Sequence, residues 1–70
     1  MRNNFSQRLK ELRLEKNLSQ KELAEKINKE ITQSAIGLWE LGKRVPNLEA
    51  VIILAEFFGV SLDYIAGLED

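Results

Sequence analysis

Apolar side chains recur along this chain at helical spacing, and no stretch alternates with the period of two that a half-buried strand requires. Phe5, Leu9 and Leu12 stand at i, i+4 and i+7 with Arg and Lys between them, which predicts a first amphipathic helix over roughly residues 5 to 16. Asn17 suits a left-handed stop, because its short polar side chain tolerates positive φ. Ser19 followed three residues later by Glu22 is a capping box, with Leu18 and Leu23 placed to staple across it. Leu23, Ala24 and Ile27 then give a second helix its buried stripe, ending near Asn28. The grammar repeats in a third helix that starts at Thr32 or Gln33. Ile31 precedes Thr32 as the cap, Ala35, Ile36 and Trp39 point inward, and Gly42 is placed just past the end.

Gln33, Ser34, Gly37, Leu38 and Leu41 are left facing outward or sideways on that third helix. Pro46 ends the loop from Lys43 to Asn47, and Asn47 is suited to cap a fourth helix over about 48 to 58. That helix is expected to bury Leu48, Val51, Ile52, Leu54, Ala55 and Phe58 and to stop at Gly59. Val60 and Ser61 open a short fifth helix through Leu62 and Ile65, closing at Gly67. The expectation is an all-α chain, a compact five-helix bundle with residues 1–70 as one domain.

Composition narrows the chemistry. Seventy residues with 44% hydrophobic content support one small core. A domain of that size hides only about 60% of the surface its unfolded chain exposes, leaving little for a deep substrate pocket. The absence of Cys rules out disulfides and thiolate metal sites. The absence of His removes the commonest general base and the commonest metal ligand. An enzyme is therefore a poor reading, and neither cofactor nor metal is expected. The longest uncharged apolar run, Ala50 to Ala55, is too short to span a bilayer, and the start of the chain lacks a signal-peptide core. The expectation is a cytoplasmic protein without membrane contact.

Net charge is −1 and the pI near 5.4, where nucleic-acid binders are usually basic. The distribution matters more than the sum. Residues 1–29 carry eight basic groups against four acidic ones, +4, while residues 30–70 carry two against seven, −5.

Three runs of residues, SQ-x-x-LA from Ser19, W-E-x-G-K-x-x-P from Trp39 and LA-x-x-x-GVS-x-DY-I from Leu54, occur in one order across about residues 8 to 67. In this combination the chain resembles the Cro/Xre-type helix-turn-helix domain of phage repressors and bacterial regulators, with a lambda-repressor-like fold and a helix-turn-helix core at about residues 19–41. The resemblance implies a bacterial or phage-encoded regulator that binds double-stranded DNA sequence-specifically, expected to be a repressor and to associate with the nucleoid when bound. Gln20, with Lys21 beside it, would hold phosphate at the start of helix two, where a helix N-terminus favours anions. Thr32 would do likewise at the start of helix three, and Lys43 and Arg44 would grip the backbone. Gln33 and Ser34 would reach base edges in the major groove, with Gly37 and Leu38 further along the same surface. Arg13 and Glu40 match an ion pair that the family buries between helices one and three.

The chain departs from the family at three points. The connection from Ile27 to Ile36 is two residues longer than usual, with Asn28 where Gly is customary. Leu38 stands where a polar base reader often sits, either touching a thymine methyl or simply exposed. Gly37 lies mid-helix at a cost of about 1 kcal/mol relative to Ala, either as a tolerated defect or to let backbone approach DNA. On a helical wheel, Ile53 and Phe57 fall with Ala50 opposite the face shared by Leu48, Val51, Ile52, Ala55 and Phe58. Either they form a homodimer or partner face, or helix five covers them. A reader this small is expected to work as a homodimer on a pseudo-palindromic operator. The alternative is an antitoxin-like or accessory protein-interaction module on the same fold, to which the acidic second half lends support.

Overall fold

The computed structural model describes residues 4–27 and 30–68. Five helices follow in order: α1 (Phe5–Glu15), α2 (Gln20–Ile27), α3 (Gln33–Glu40), α4 (Leu48–Phe58) and α5 (Leu62–Ala66), with no strand among the described residues. Of the longer connection expected between Ile27 and Ile36, Asn28 and Lys29 lie outside the described residues.

Local sequence signals account for most of the boundaries. The Ser19 N–H donates to Glu22 Oε1 at 2.8 Å while the Glu22 N–H donates to Ser19 Oγ at 3.0 Å, so the capping box closes in both directions. Thr32 Oγ1, Asn47 Oδ1 and Ser61 Oγ each accept the N–H three residues ahead, at 3.1, 2.8 and 3.0 Å. These three caps start α3, α4 and α5. Asn17, at φ 58°, ends the α1 segment, and the Leu18 N–H returns to the Arg13 carbonyl. Gly42, at φ 74°, lets the Lys43 N–H return to the Leu38 carbonyl in the same way. The third helix therefore stops just before its basic exit loop.

Leu9, Leu23, Ile36, Leu54 and Ile65, one from each helix, are fully buried and form the centre of the core. Around them α1 packs on α3 and α5, and α2 packs on α3 and α4. Trp39 is buried, its ring edge-on to that of Phe5 at 6.3 Å between centroids, consistent with a packing role. Arg8 ties α1 to α5 by donating to the Tyr64 carbonyl at 2.7 Å with its guanidinium 4.1 Å above the Tyr64 ring.

Helix α4 is rotated from the orientation the wheel predicts. Leu48 and Ile52, expected in the core, are 69% and 36% exposed, whereas Ala50, expected outside, is buried. Ile53 and Phe57 are half-buried and packed against the core, so they do not form an outward face. The reason is that nine apolar residues among the eleven of α4 leave the wheel nearly featureless. The two glutamates, Glu49 and Glu56, must stay hydrated and lie on one side with Leu48 and Ile52. The opposite stripe, Ala50, Ile53, Leu54 and Phe57 at i, i+3, i+4 and i+7, turns inward.

Candidate nucleic-acid interface

The first turn of α3 presents polar groups to solvent by construction. Thr32, Gln33 and Ser34 are exposed, while Ile36 and Trp39 on the far side of the helix are buried. The amides of the first helical turn have no intrahelical acceptor and concentrate the positive end of the helix dipole. No acidic residue stands in that turn to cancel it. The Thr32 hydroxyl accepts the Ala35 N–H, which leaves its own proton free to donate. Gln33, Ser34, Gly37, Leu38 and Leu41 recur at i, i+1, i+4, i+5 and i+8 along one side of the helix. Gly37 and Leu38 are half-buried, and Leu41 is 69% exposed. Beyond Gly42, the side chains of Lys43 and Arg44 are both exposed.

The start of α2 is organised differently. Lys21 is exposed, and Glu22 is folded back into the capping box. The Ser19 backbone N–H, then the Ser19 hydroxyl, hold the Glu22 carboxyl below its ordinary value, opposed by desolvation and aided least by the charge of Lys26. Gln20 is half-buried and reaches across to α3, its Nε2 donating to Glu40 Oε1 at 3.0 Å. The residue proposed for a phosphate is thus also a link between the two helices of the motif.

Glu40 sits at the centre of that link. Arg13 Nε donates to Glu40 Oε2 at 2.7 Å and Arg13 Nη2 to Glu40 Oε1 at 3.0 Å, a two-pronged pair with side chains only 9% and 5% exposed. Arg13 Nη1 donates to the Leu18 carbonyl at 2.7 Å. The hydrogen bond to Glu40, opposed by desolvation and aided by the charge of Glu40, raises the Arg13 pKa above its ordinary value. Together these bonds join α1, the α1–α2 loop, α2 and α3. The Arg13–Glu40 pair follows the resemblance, but the Gln20–Glu40 contact was not expected. Its signal in the sequence was Gly37, which lies one turn before Glu40.

An open groove of 620 Å³ lies behind α3, lined among others by Ile31, Ala35, Trp39, Arg44, Ala50 and Ile53. The sequence had suggested no such concavity; Ala35 and Ala50 are too small to fill the space between α3 and the start of α4. Among the described residues no group of three or more metal-ligating side chains gathers, and no helix is long and apolar enough to cross a membrane.

Five helices in this order, with α2 packed on α3, are the arrangement of a helix-turn-helix domain. The chain belongs to the helix-turn-helix family of the Cro/C1 type, whose family model matches residues 9–65. It is 38% identical over 66 residues to the HTH-type transcriptional activator BcrR of Enterococcus faecalis, covering 94% of this chain and 31% of that protein. It is 42% identical over 66 residues to the uncharacterized HTH-type transcriptional regulator YobD of Bacillus subtilis, covering 94% of this chain and 57% of that protein. A prophage-derived regulator of Bacillus subtilis, YonR, is 36% identical over 61 residues, 87% of this chain and 55% of its own length. The chain spans between about a third and somewhat over half the length of these curated relatives.

Proposed function

We propose that this chain is a sequence-specific regulator of transcription that reads double-stranded DNA by placing the start of α3 in the major groove. The observation that carries the reading is the first turn of α3, where Gln33 and Ser34 stand exposed at a helix N-terminus without an acid. Gln33 is suited to pair with adenine N6 and N7, and Ser34 accepts more than one base. Leu38 offers a methyl contact to thymine beside them. Phosphates would be held by Gln20, Lys21, Thr32, Lys43 and Arg44, which set the register without reading sequence. The HTH-type regulators that the chain resembles support the regulatory role.

Repression is the mode proposed, because occupying an operator requires only DNA binding. Activation would need a further contact to recruit transcription. A homodimer on a pseudo-palindromic operator is proposed because one short recognition helix contacts only a few base pairs. A second reading, a protein-interaction module of antitoxin or accessory type, draws on the exposed Leu48 and Ile52 beside Glu49 and Glu56.

Salt separates the two. Three cations per protomer, Lys21, Lys43 and Arg44, on a dimer correspond to about six neutralised phosphates. Duplex binding followed by fluorescence anisotropy should then show a log–log salt slope of about −5. Absence of duplex binding at low salt, or affinity indifferent to salt, would reject DNA in favour of the protein-partner reading.

A further inference from the structure

We propose that Gly37 is a positioning residue for Gln20, and that the missing side chain on α3 is what seats a phosphate-binding side chain of α2. This inference rests on the reading that Gln20 contacts DNA. A Cβ built at Gly37 would lie 3.2 Å from Gln20 Oε1 and 3.9 Å from both Cδ and Nε2 of the same side chain. The amide of Gln20 therefore crosses α3 directly over the bare backbone of residue 37. A Cβ there would sit closer to Oε1 than ordinary contact allows, so the amide would have to give by a few tenths of an ångström.

The orientation of that amide is dictated by chemistry. Both Glu40 carboxylate oxygens are acceptors, and Arg13 Nε and Nη2 hold the carboxylate in place at 2.7 and 3.0 Å. Only the NH2 end of Gln20 can face it, as the 3.0 Å bond from Nε2 records. One Nε2 hydrogen is thereby used, and the second remains for an external acceptor. Arg13 also holds the Leu18 carbonyl, two residues before Gln20, so the same guanidinium fixes both the approach to α2 and the carboxylate that orients its first side chain. A DNA phosphate, an acceptor-only group, matches the remaining hydrogen. Gly37 in this arrangement contributes neither a base contact nor a close approach of its own backbone to DNA. It preserves the route of Gln20.

The test is a double-mutant cycle read in three ways, using Gly37→Ala, Gln20→Ala and the pair together. In the free protein, the Gln20 side-chain amide resonance should move in Gly37→Ala as its seat over residue 37 is disturbed. Melting should change little, since the helix gain of Ala over Gly offsets a weakened bond from Gln20 to Glu40. Gly37→Ala should weaken cognate and random duplexes alike by roughly tenfold, the scale of one hydrogen bond to a charged group. It should have no further effect when Gln20 is already Ala. An undisturbed Gln20 amide, or equal losses from Gly37→Ala with and without Gln20, would overturn the inference. So would a changed base preference, which would make Gly37 part of the reading surface. If Gln20→Ala leaves affinity intact while Gln33→Ala lowers it, the phosphate role of Gln20 and this inference fail together, and the DNA-binding reading stands.

Discussion

Removing the Glu40 carboxylate should be the most damaging single polar substitution among the contacts described. Glu40→Ala leaves Arg13 Nε and Nη2 without acceptors in a site where the guanidinium side chain is only 9% exposed. Only the Nη1 bond to the Leu18 carbonyl survives, and Gln20 loses its partner on α3. Breaking a buried pair by deleting one member costs about 3–5 kcal/mol, because a charge is left desolvated and uncompensated. Seventy residues at about 0.05–0.15 kcal/mol each give a total of about 3.5–10 kcal/mol, so this one change removes a large share. In urea, with an m value of about 1 kcal/mol/M for so small a protein, the midpoint should fall by about 3–5 M with m unchanged. Replacing both partners, Arg13→Met with Glu40→Leu, should recover most of the loss, since no charge then remains buried. An unmoved midpoint for Glu40→Ala would refute the reasoning. A double variant no more stable than the single one would show that the pair contributes through geometry rather than through the penalty of an orphaned charge.

Three further outcomes follow from the same contacts. Arg44→Ala should weaken specific and random duplexes equally and reduce the salt slope by about one unit per protomer; a loss confined to one sequence would make Arg44 a base reader. The depressed Glu22 pKa means that the capping box stabilises fully above the ordinary carboxylate value of 4.5 and loses this contribution as pH falls below it. Glu22→Gln should flatten the acid limb of a melting-temperature profile, and an unchanged profile would leave the box without a pH-dependent role. Phe57→Lys should lower the melting temperature and expand the chain, because Phe57 packs on the core and edge-on to Phe58 at 5.0 Å; a folded, fully stable variant would return this residue to the surface.

What could be read from residues alone was mostly what depends on near neighbours. Ser19 and Glu22, Thr32, Asn47 and Ser61 announce their helices because a cap and its amide partner are three residues apart. The stops at Asn17 and Gly42 are equally local, since both positions need positive φ. The face of α4 was not legible. Its two glutamates are outnumbered by apolar residues that suit either side, and only the packing partners decide which stripe is covered. Arg13 and Glu40, 27 residues apart, paired on paper only through the family resemblance. Gln20 and Glu40, 20 residues apart, were missed because nothing in spacing reports a side chain crossing between helices. Gly37 was the one trace of that crossing, visible as an unfavourable residue in a helix without an evident reason.

The central claim, that the start of α3 reads DNA sequence, is tested most directly by selection from a pool of random duplexes with the unaltered chain and with Gln33→Ala in parallel. The unaltered chain should enrich a two-fold-related motif with half-sites about 10 base pairs apart, centre to centre. Gln33→Ala should retain that motif at every position but one in each half-site, at a cost of about 1–3 kcal/mol on the original sequence. A pool that stays random after repeated selection with folded protein, or a motif identical for both chains, would contradict it.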